Sequence, residues 1–205
     1  MAAVLTELAR ELRRFAAVAT GADGAPPFAV VGGLAVSART EPRFTRDVDV
    51  AVAVANDAAA EALVLHLQGG GYRVLAVLEH QNGRLSRVRM VPPGGSEDGV
   101  LVDLLFASSG VESEIVGSAQ MLEVLPGVVL PVALAGDLLA LKLLSVAPSR
   151  PKDAQDLVSL LGECGEADLD HCRGTLALIT ARGYNRGRSL HEALEALVRT
   201  GSGKV

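Results

Sequence analysis

Aromatic residues and cysteine are both scarce in this sequence. It has no tryptophan, and aromatic side chains make up 3% of its 205 residues. Single-stranded RNA is commonly bound by stacking bases on aromatic side chains, so the sequence predicts no such platform. The two cysteines, Cys164 and Cys172, have no second cysteine pair and no histidines at zinc-ligand spacing, which argues against a zinc site. Reduced thiols in a cytoplasmic protein are the better interpretation.

Long apolar runs are absent as well. The two longest, residues 99–107 and 138–144, are interrupted by Asp103 and Lys142. Neither approaches the roughly 20 apolar residues of a membrane-spanning helix, and acidic residues within the first helical pattern do not fit a signal peptide. We therefore expect a cytoplasmic protein with no membrane partner. The net charge of −5 argues against a broad nucleic-acid-coating surface but leaves room for a local basic groove.

Hydrophobic residues, by contrast, make up 49% of the chain. Apolar residues at helical spacing predict an amphipathic helix over 3–19, and valine-rich or alternating segments predict strands. Asn82-Gly83 predicts a hairpin turn, since both residues tolerate positive φ. The predicted strands are 28–31, 47–54, 72–78, 84–91 and 100–106, with a hairpin over 121–132. The other predicted helices are 34–39, 57–67, 133–147, 153–162, 168–182 and 189–199.

The order of these elements predicts an α/β (α+β) fold. We expect a mixed β-sheet flanked by helices, followed by a helical C-terminal part, because the pattern changes near residue 120 and helices then dominate. We place the catalytic core at residues 1–132 and a C-terminal helical region, packed on that core, at residues 133–205.

Three aspartates carry the main functional signal. Asp47 and Asp49 open a predicted strand, and because side chains alternate along a strand they point to the same face. Two carboxylates so close repel each other, and Mg²⁺, which prefers hard oxygen ligands, relieves that repulsion. Asp103 lies in an apolar strand, where an unpaired carboxylate is costly to bury. It suits a third ligand of a two-metal site, in which one metal holds a triphosphate and the other activates an acceptor hydroxyl.

Asp47 and Asp49 also have a structural alternative, in which they cap the strand end or pair with Arg43 and Arg46. An isolated D-x-D triplet favours that alternative, because such triplets are common. Here the triplet follows a Gly-Gly pair by about a dozen residues and is matched by a lone aspartate in a later apolar strand, which favours metal binding. Mn²⁺ is the alternative to Mg²⁺ at such a site.

Gly32-Gly33 lies between a predicted strand and a short predicted helix. Glycines in that position let backbone N–H groups approach phosphate oxygens, and a helix N-terminus favours anions. No Walker A motif occurs in the chain. A tight turn is the structural alternative for this pair.

Three segments together resemble the nucleotidyltransferase fold of the DNA polymerase β superfamily, and within it the AbiEii/MenT-type group of toxin nucleotidyltransferases. They are VVGGLAVSARTEPRFTRDVDVAV, VLVDLL and LLALKLLSVAPSRPKDAQDLVSLL, which run from residue 30 to 161. The G-G-x₁₃-D-x-D core is typical of the superfamily, and Leu-Lys-Leu-Leu followed by Lys-Asp-x-x-Asp-Leu points to the AbiEii-like group. Many relatives outside that group have Gly-Ser at Gly32-Gly33, so the chain does not resemble a typical aminoglycoside-modifying or protein-AMPylating enzyme.

The resemblance also implies further site residues. It places Thr45 beside the triphosphate, and it has Lys142 and either Asp153 or Asp156 complete the site. The candidate catalytic residues are Asp47, Asp49, Asp103, Lys142 and Asp153, of which the first three are also the candidate metal ligands. The candidate nucleotide-binding residues are Gly32, Gly33, Thr45, Arg46 and Lys142.

Lys142 and the two later aspartates have structural alternatives. Lys142 lies in a leucine-rich helical run, where its ammonium either reaches water past a packed stem or acts as a point charge on NTP phosphates. Asp153 and Asp156 are three residues apart and share a helix face. Asp153 either stabilises the first turn of its helix or, like Asp156, orients Lys142 or holds the acceptor.

Two groups of arginines lie outside these motifs. Arg87 and Arg89 share one face of a predicted strand, where they contact the NTP or an RNA backbone or else lie on a solvated sheet face. Arg182, Arg186 and Arg188 cluster around two glycines and either bind phosphate or form an ordinary charged loop.

Three functions remain open at this point. The first is a Mg²⁺-dependent nucleotidyltransferase that moves a nucleoside monophosphate from an NTP to an acceptor. For this first function the resemblance implies the tRNA 3′ end as acceptor and a cognate antitoxin as partner, and the NTP is the substrate. The second is transfer to a small molecule or a protein, and the acidic net charge favours a small molecule over tRNA. The third is a non-catalytic nucleotide-binding or partner-binding module of the same fold, which the complete set of aspartates disfavours.

Overall fold

A computed structural model describes residues 2–21, 24–43, 45–80, 83–147 and 151–202. Within these residues the chain forms seven strands and eight helices. The strands are β1 (Phe28–Val31), β2 (Asp47–Val52), β3 (Arg73–Glu79), β4 (Leu85–Val91), β5 (Leu101–Leu105), β6 (Gln120–Leu125) and β7 (Val128–Val132). The helices are α1 (Ala2–Thr20), α2 (Gly32–Arg39), α3 (Asp57–Gly69), α4 (Glu112–Ser118), α5 (Ala135–Ser145), α6 (Pro151–Glu163), α7 (Glu166–Ala181) and α8 (Leu190–Ser202).

The strands form one mixed sheet in the order β3-β4-β5-β2-β1-β7-β6. β2 pairs in parallel with β5 and antiparallel with β1, and β1 pairs in parallel with β7. The two hairpins, β3–β4 and β6–β7, are antiparallel and extend the sheet on either side. This architecture confirms the predicted α/β fold with a mixed sheet, flanking helices and a helical C-terminal part.

The three strands in the middle of the sheet, β1, β2 and β5, are its most buried strands. β1 is buried along its whole length, and Val48 and Val50 of β2 are fully buried. Apolar strands of this kind are stable only when elements cover both sheet faces. Asp47 and Asp49 alternate with those valines and are only half-buried, so the period of two turns them to the other face, where the site lies.

The first and fifth helices show how the helical pattern becomes packing. Leu8, Leu12 and Phe15 of α1 are buried, and the Phe15 ring meets Phe28 of β1 edge-on with ring centroids 5.4 Å apart. α5 packs against α2, α6, α7 and α8, so its leucines are buried almost all round, as expected for a helix enclosed by other helices. The helix that carries Lys142 is therefore held in place by four other helices.

Several element boundaries differ from the sequence-based expectations. α2 begins at Gly32 rather than at residue 34, because the left-handed φ of +65° at Gly32 turns the chain directly from β1 into the helix. α4 was not predicted, since it has only seven residues and includes Gly117. Asn82 of the predicted turn lies outside the described residues, although β3 and β4 pair as expected. The division of the chain at residue 132 stays a prediction.

No described helix combines the length and the apolar character needed to cross a bilayer.

Candidate active site

Strand register brings the predicted aspartates together. Asp49 of β2 lies opposite Asp103 of β5, and Asp103 lies opposite Arg89 of β4. Residues paired in register on neighbouring strands present their side chains on the same face, and Asp47, two residues before Asp49, shares that face. The sheet therefore places three carboxylates and one guanidinium side by side.

Gly32, the residue that follows β1, lies directly against the carboxylate of Asp49. Its φ is +65°, and a Cβ at this position would overlap the carboxylate of Asp49. A residue with a side chain is thus excluded twice, by its backbone conformation and by the volume that Asp49 occupies. The first glycine of the pair is needed to let the Asp49 carboxylate lie against the chain at the start of α2.

Gly33 makes room for two other side chains. A Cβ there would lie 2.8 Å from Nη2 of Arg43 and 3.1 Å from Oγ1 of Thr45. Thr45, predicted to lie beside the triphosphate, therefore stands next to the Gly-Gly turn. Arg46 donates to the carbonyl oxygen of Asp98 at 3.4 Å, and it lines the same cavity as Gly33 and Thr45.

The pKa of Asp49 shows how crowded the carboxylates are. Burial raises the pKa of Asp49 to about 7, and Asp103 and Asp47 act in the same direction. Lys142 and Arg89 oppose this shift without cancelling it. A divalent cation stabilises such a group of buried, mutually repelling carboxylates, so the chemistry of the donor set fits Mg²⁺ or Mn²⁺.

Asp103, which is 1% exposed, is held by two arginines. Nε and Nη2 of Arg89 donate to its two carboxylate oxygens at 3.0 and 2.5 Å, and Nε of Arg87 lies 3.7 Å from Oδ1. Neither interpretation of these arginines from the sequence anticipated the pairing. Among the described residues, no three acidic, histidine or cysteine side chains already surround a common point as metal ligands would, and Asp103 faces the guanidinium groups instead.

Lys142 lies between two carboxylates of α6. Its ammonium is 2.7 Å from Oδ1 of Asp153 and 2.7 Å from Oδ2 of Asp156. The alternatives Asp153 and Asp156 therefore both hold Lys142. With 11% of its side chain exposed, the lysine does not extend freely into water, as the snorkelling interpretation requires.

Arg43 is the main functional candidate that sequence reasoning missed. Its guanidinium binds Asp156 through two contacts, with Nη2 donating to Oδ2 at 2.6 Å. Burial alone raises the pKa of Asp156, but hydrogen bonds from Arg43 and Lys142 outweigh this and leave the pKa below its ordinary value. The pair spans 113 residues of sequence, so no local pattern could have identified it. Asp156 thus connects Arg43, whose guanidinium lies beside Gly33, to Lys142.

All nine predicted site residues line one cavity of about 870 Å³. They are Gly32, Gly33, Thr45, Arg46, Asp47, Asp49, Asp103, Lys142 and Asp153. The lining also includes Arg43, Arg87, Arg89, Lys152 and Arg186. With Arg46 and Lys142, seven cationic side chains thus face five acidic ones, in a protein whose net charge is −5. The cavity is therefore locally basic, as required for a polyphosphate.

The three C-terminal arginines divide between the two interpretations. Arg182 pairs with Glu114, with Nη2 2.5 Å from Oε1, and Arg188 donates to the carbonyl oxygens of Leu144 and Val146 at 3.2 Å. Both of these residues therefore tie the loop to the rest of the fold. Arg186 alone of the three lines the cavity.

Comparison with known proteins identifies the family. The model of the family described as "Nucleotidyl transferase AbiEii toxin, Type IV TA system" matches residues 16–200. A comparison with curated proteins found no match.

Two solved structures show the same fold. An antigenic nucleotidyltransferase-like protein from Paracoccidioides brasiliensis is 17% identical with a TM-score of 0.50, over 94% of this chain and 92% of that one. The antibiotic-resistance factor ANT(2'')-Ia is 18% identical with a TM-score of 0.52, over 93% of this chain and 96% of that one. At these identities the likeness concerns the fold alone. Because the family match spans most of the sequence and its aspartates meet in one basic cavity, the chain belongs to the AbiEii nucleotidyltransferase toxin family and is a nucleotidyltransferase.

Proposed function

We propose that this enzyme transfers a nucleoside monophosphate from an NTP to the 3′ end of tRNA, with Mg²⁺ held by Asp47, Asp49 and Asp103. The observation that carries the proposal is the row of three aspartates beside the Gly32-Gly33 turn in one basic cavity. The family description supports a toxin of a toxin–antitoxin pair, with a cognate antitoxin as partner. The cysteine usage of the sequence favours action in the cytoplasm.

Each part of the site has a role in this proposal. The aspartates would hold two divalent cations, one of which would neutralise triphosphate charge while the other would lower the pKa of the acceptor hydroxyl. The start of α2 offers backbone N–H groups to phosphate oxygens, and Lys142 and Arg43 add positive charge there. Asp153 and Asp156 orient Lys142 through their contacts of 2.7 Å. Such positioning and charge neutralisation are the main requirements of phosphoryl-type transfer.

The reaction exchanges one bond to phosphorus for another. The acceptor oxygen bonds to the α-phosphorus, while the bond from that phosphorus to the oxygen bridging the α- and β-phosphates breaks. Pyrophosphate leaves with the bonding electron pair, and the hydroxyl proton passes to a carboxylate of the site. Lys142 and Arg43 then stabilise the charge that accumulates on the pyrophosphate.

A small-molecule acceptor is the second candidate. The shared fold covers 96% of ANT(2'')-Ia, which is described as an antibiotic-resistance factor, so a chain of this extent accommodates a nucleotidyltransferase of that kind. The low aromatic content favours this candidate over binding RNA by base stacking. The two candidates differ in the acceptor and share the same NTP site.

The proposal is tested with Asp47→Ala and Asp49→Ala, and with Asp170→Ala as a matched control on an exposed part of α7. We expect each active-site variant to lower transfer of label from α-³²P-NTP to tRNA by about 10²-fold or more, and the control to be unaffected. Removing either carboxylate relieves repulsion, so the metal-free variants should be as stable as the wild type or more so. Undiminished transfer by both variants would contradict the assignment.

Metal and nucleotide should also bind as one unit. Since Asp47, Asp49 and Asp103 would hold the cation that neutralises the triphosphate, Mg²⁺ with NTP should raise the melting temperature by more than the sum of the separate shifts. The Asp49→Ala variant should lose this excess. Additive shifts in the wild type would argue against a shared metal and nucleotide site.

A further inference from the structure

The loop between α7 and α8 reaches the active-site cavity from the C-terminal helices. Arg186 of this loop lines the cavity, and its Nη2 donates to the carbonyl oxygen of Ser108 at 3.5 Å. Ser108 follows β5, the strand that carries Asp103. The C-terminal part of the chain thus contributes the guanidinium of Arg186 to the cavity, next to the segment that follows β5.

The backbone of Arg186 is unusual. Its φ is +55°, and it is the one non-glycine residue of the described chain with positive φ. Left-handed backbone is disfavoured for a residue with a Cβ, and where it occurs it is concentrated at functional sites. Glycine fits such a position without strain, and glycines already flank it at 183 and 187. An arginine at this strained position, with its side chain lining the cavity, therefore points to a role for that side chain.

The neighbours of Arg186 hold the loop in place. Arg188 donates to two carbonyl oxygens at the end of α5, and Asn185 donates to the carbonyl oxygen of Arg188 at 3.0 Å. The Tyr184 ring lies so close to Gly110 that a Cβ there would overlap it, and it meets the ring of His80 edge-on, with centroids 5.3 Å apart. Because contacts of the residues before and after Arg186 anchor the loop, they hold Arg186 at the cavity.

Arg186 stands apart from the cations proposed for the triphosphate. Arg43 lies beside the Gly32-Gly33 turn, and Lys142 is held by Asp153 and Asp156 of α6. Along β5, residue 105 lies about 7 Å beyond Asp103, and the contact of Arg186 with Ser108 is farther on in the same direction. Arg186 therefore contacts the chain beyond Asp103, whereas Arg43 and Lys142, which serve the NTP in the proposed function, bind carboxylates of α6.

We propose that Arg186 binds a backbone phosphate of an RNA acceptor and so positions the terminal hydroxyl at the aspartates. This rests on the proposed function and specifies its acceptor as a phosphodiester-linked one. A guanidinium matches phosphate in a bidentate manner, which a neutral small molecule would not use. Because the protein carries a net charge of −5, its attraction for RNA depends on a few local cations, so loss of one has a large effect.

The test measures binding of total bacterial tRNA by fluorescence anisotropy at several salt concentrations and of Mg²⁺–NTP by calorimetry. The variants are Arg186→Gln and Arg186→Gly, with Arg199→Gln as a control that removes the same charge from an exposed position of α8 that does not line the cavity. We expect both Arg186 variants to bind tRNA on the order of fivefold more weakly and to reduce the salt slope by about 1. Their Mg²⁺–NTP affinity should equal that of the wild type.

A purely structural role gives a different result. Arg186→Gly relieves the positive-φ strain, so its melting temperature should be unchanged or raised while its tRNA affinity falls. Equal tRNA binding by wild type and both Arg186 variants, or an equal loss in Arg199→Gln, would overturn the inference. Weaker Mg²⁺–NTP binding in the Arg186 variants would assign Arg186 to the triphosphate instead. A wild type that binds Mg²⁺–NTP but no tRNA refutes this inference and the tRNA acceptor but leaves nucleotidyl transfer to a small molecule standing, whereas failure to bind Mg²⁺–NTP refutes the proposed function as a whole.

Discussion

Replacing Gly32 by alanine should disrupt both the fold and the site. Gly32 has a φ of +65°, and its missing side chain leaves the space that the Asp49 carboxylate occupies. Alanine therefore introduces backbone strain and a steric overlap with a metal-ligand candidate. Activity should be lost because Asp49 must move away from its place in the row.

The magnitude follows from these two contributions. A left-handed backbone at a residue with a Cβ costs about 1–2 kcal/mol, and forcing extra volume into a packed site costs about 1–3 kcal/mol. Gly32→Ala should therefore lower the free energy of unfolding by about 2–5 kcal/mol. Gly94 provides a matched control, since its φ is +75° and nothing lies within 4 Å of a Cβ there. Gly94→Ala should cost only the backbone contribution, about 1–2 kcal/mol.

Urea denaturation followed by circular dichroism measures both free energies. The difference between the two variants isolates the overlap with Asp49. Adding Asp49→Ala removes the carboxylate but not the Asp49 Cβ, which is 2.7 Å from the added methyl, so Gly32→Ala should be less costly in that background but not free of cost. An equal loss of stability in Gly32→Ala and Gly94→Ala would refute the placement of the Asp49 carboxylate against Gly32.

Three further predictions concern charges in the site. The pKa of Asp49 is raised to about 7 in the folded protein from about 4 in the unfolded chain. The metal-free folded protein therefore binds more protons than the unfolded chain, and its unfolding free energy should fall as pH rises from about 4 to 7. Urea denaturation in the presence of a chelator should show this fall in the wild type and its loss in Asp49→Asn. Lys142→Met should weaken NTP binding in calorimetry and also lower the unfolding free energy by about 3 kcal/mol, because it removes the ammonium that lies 2.7 Å from buried carboxylates of both Asp153 and Asp156. Asp153→Asn should restore part of that stability, and no change in NTP affinity or in unfolding free energy would contradict both roles of the lysine. Arg89→Met should destabilise the metal-free protein by a similar amount, about 3 kcal/mol, and added Mg²⁺ should recover part of the loss if Asp103 is a metal ligand.

The sequence by itself was sufficient for the fold class, and it proposed the nine candidate site residues that the structure brings to one cavity. Local periodicity decides which segments form helices or strands, and the strict alternation of a strand places Asp47 and Asp49 on one face. The lone Asp103 in an apolar strand, and Lys142 in an apolar helix, signalled buried charges that need partners. These are properties of short segments, so they can be read before the chain is folded.

Tertiary structure alone decided which partners those charges have. The register of β2 and β5 sets Asp49 opposite Asp103, and the register of β4 and β5 gives Asp103 its arginine. Arg43 meets Asp156 across 113 residues. Such pairs depend on how distant segments pack, because the sequence pattern of each segment specifies its own face but not its neighbour. For the same reason the presence of Arg186 in the cavity follows only from how the loop between α7 and α8 packs against the end of α5 and the segment after β5.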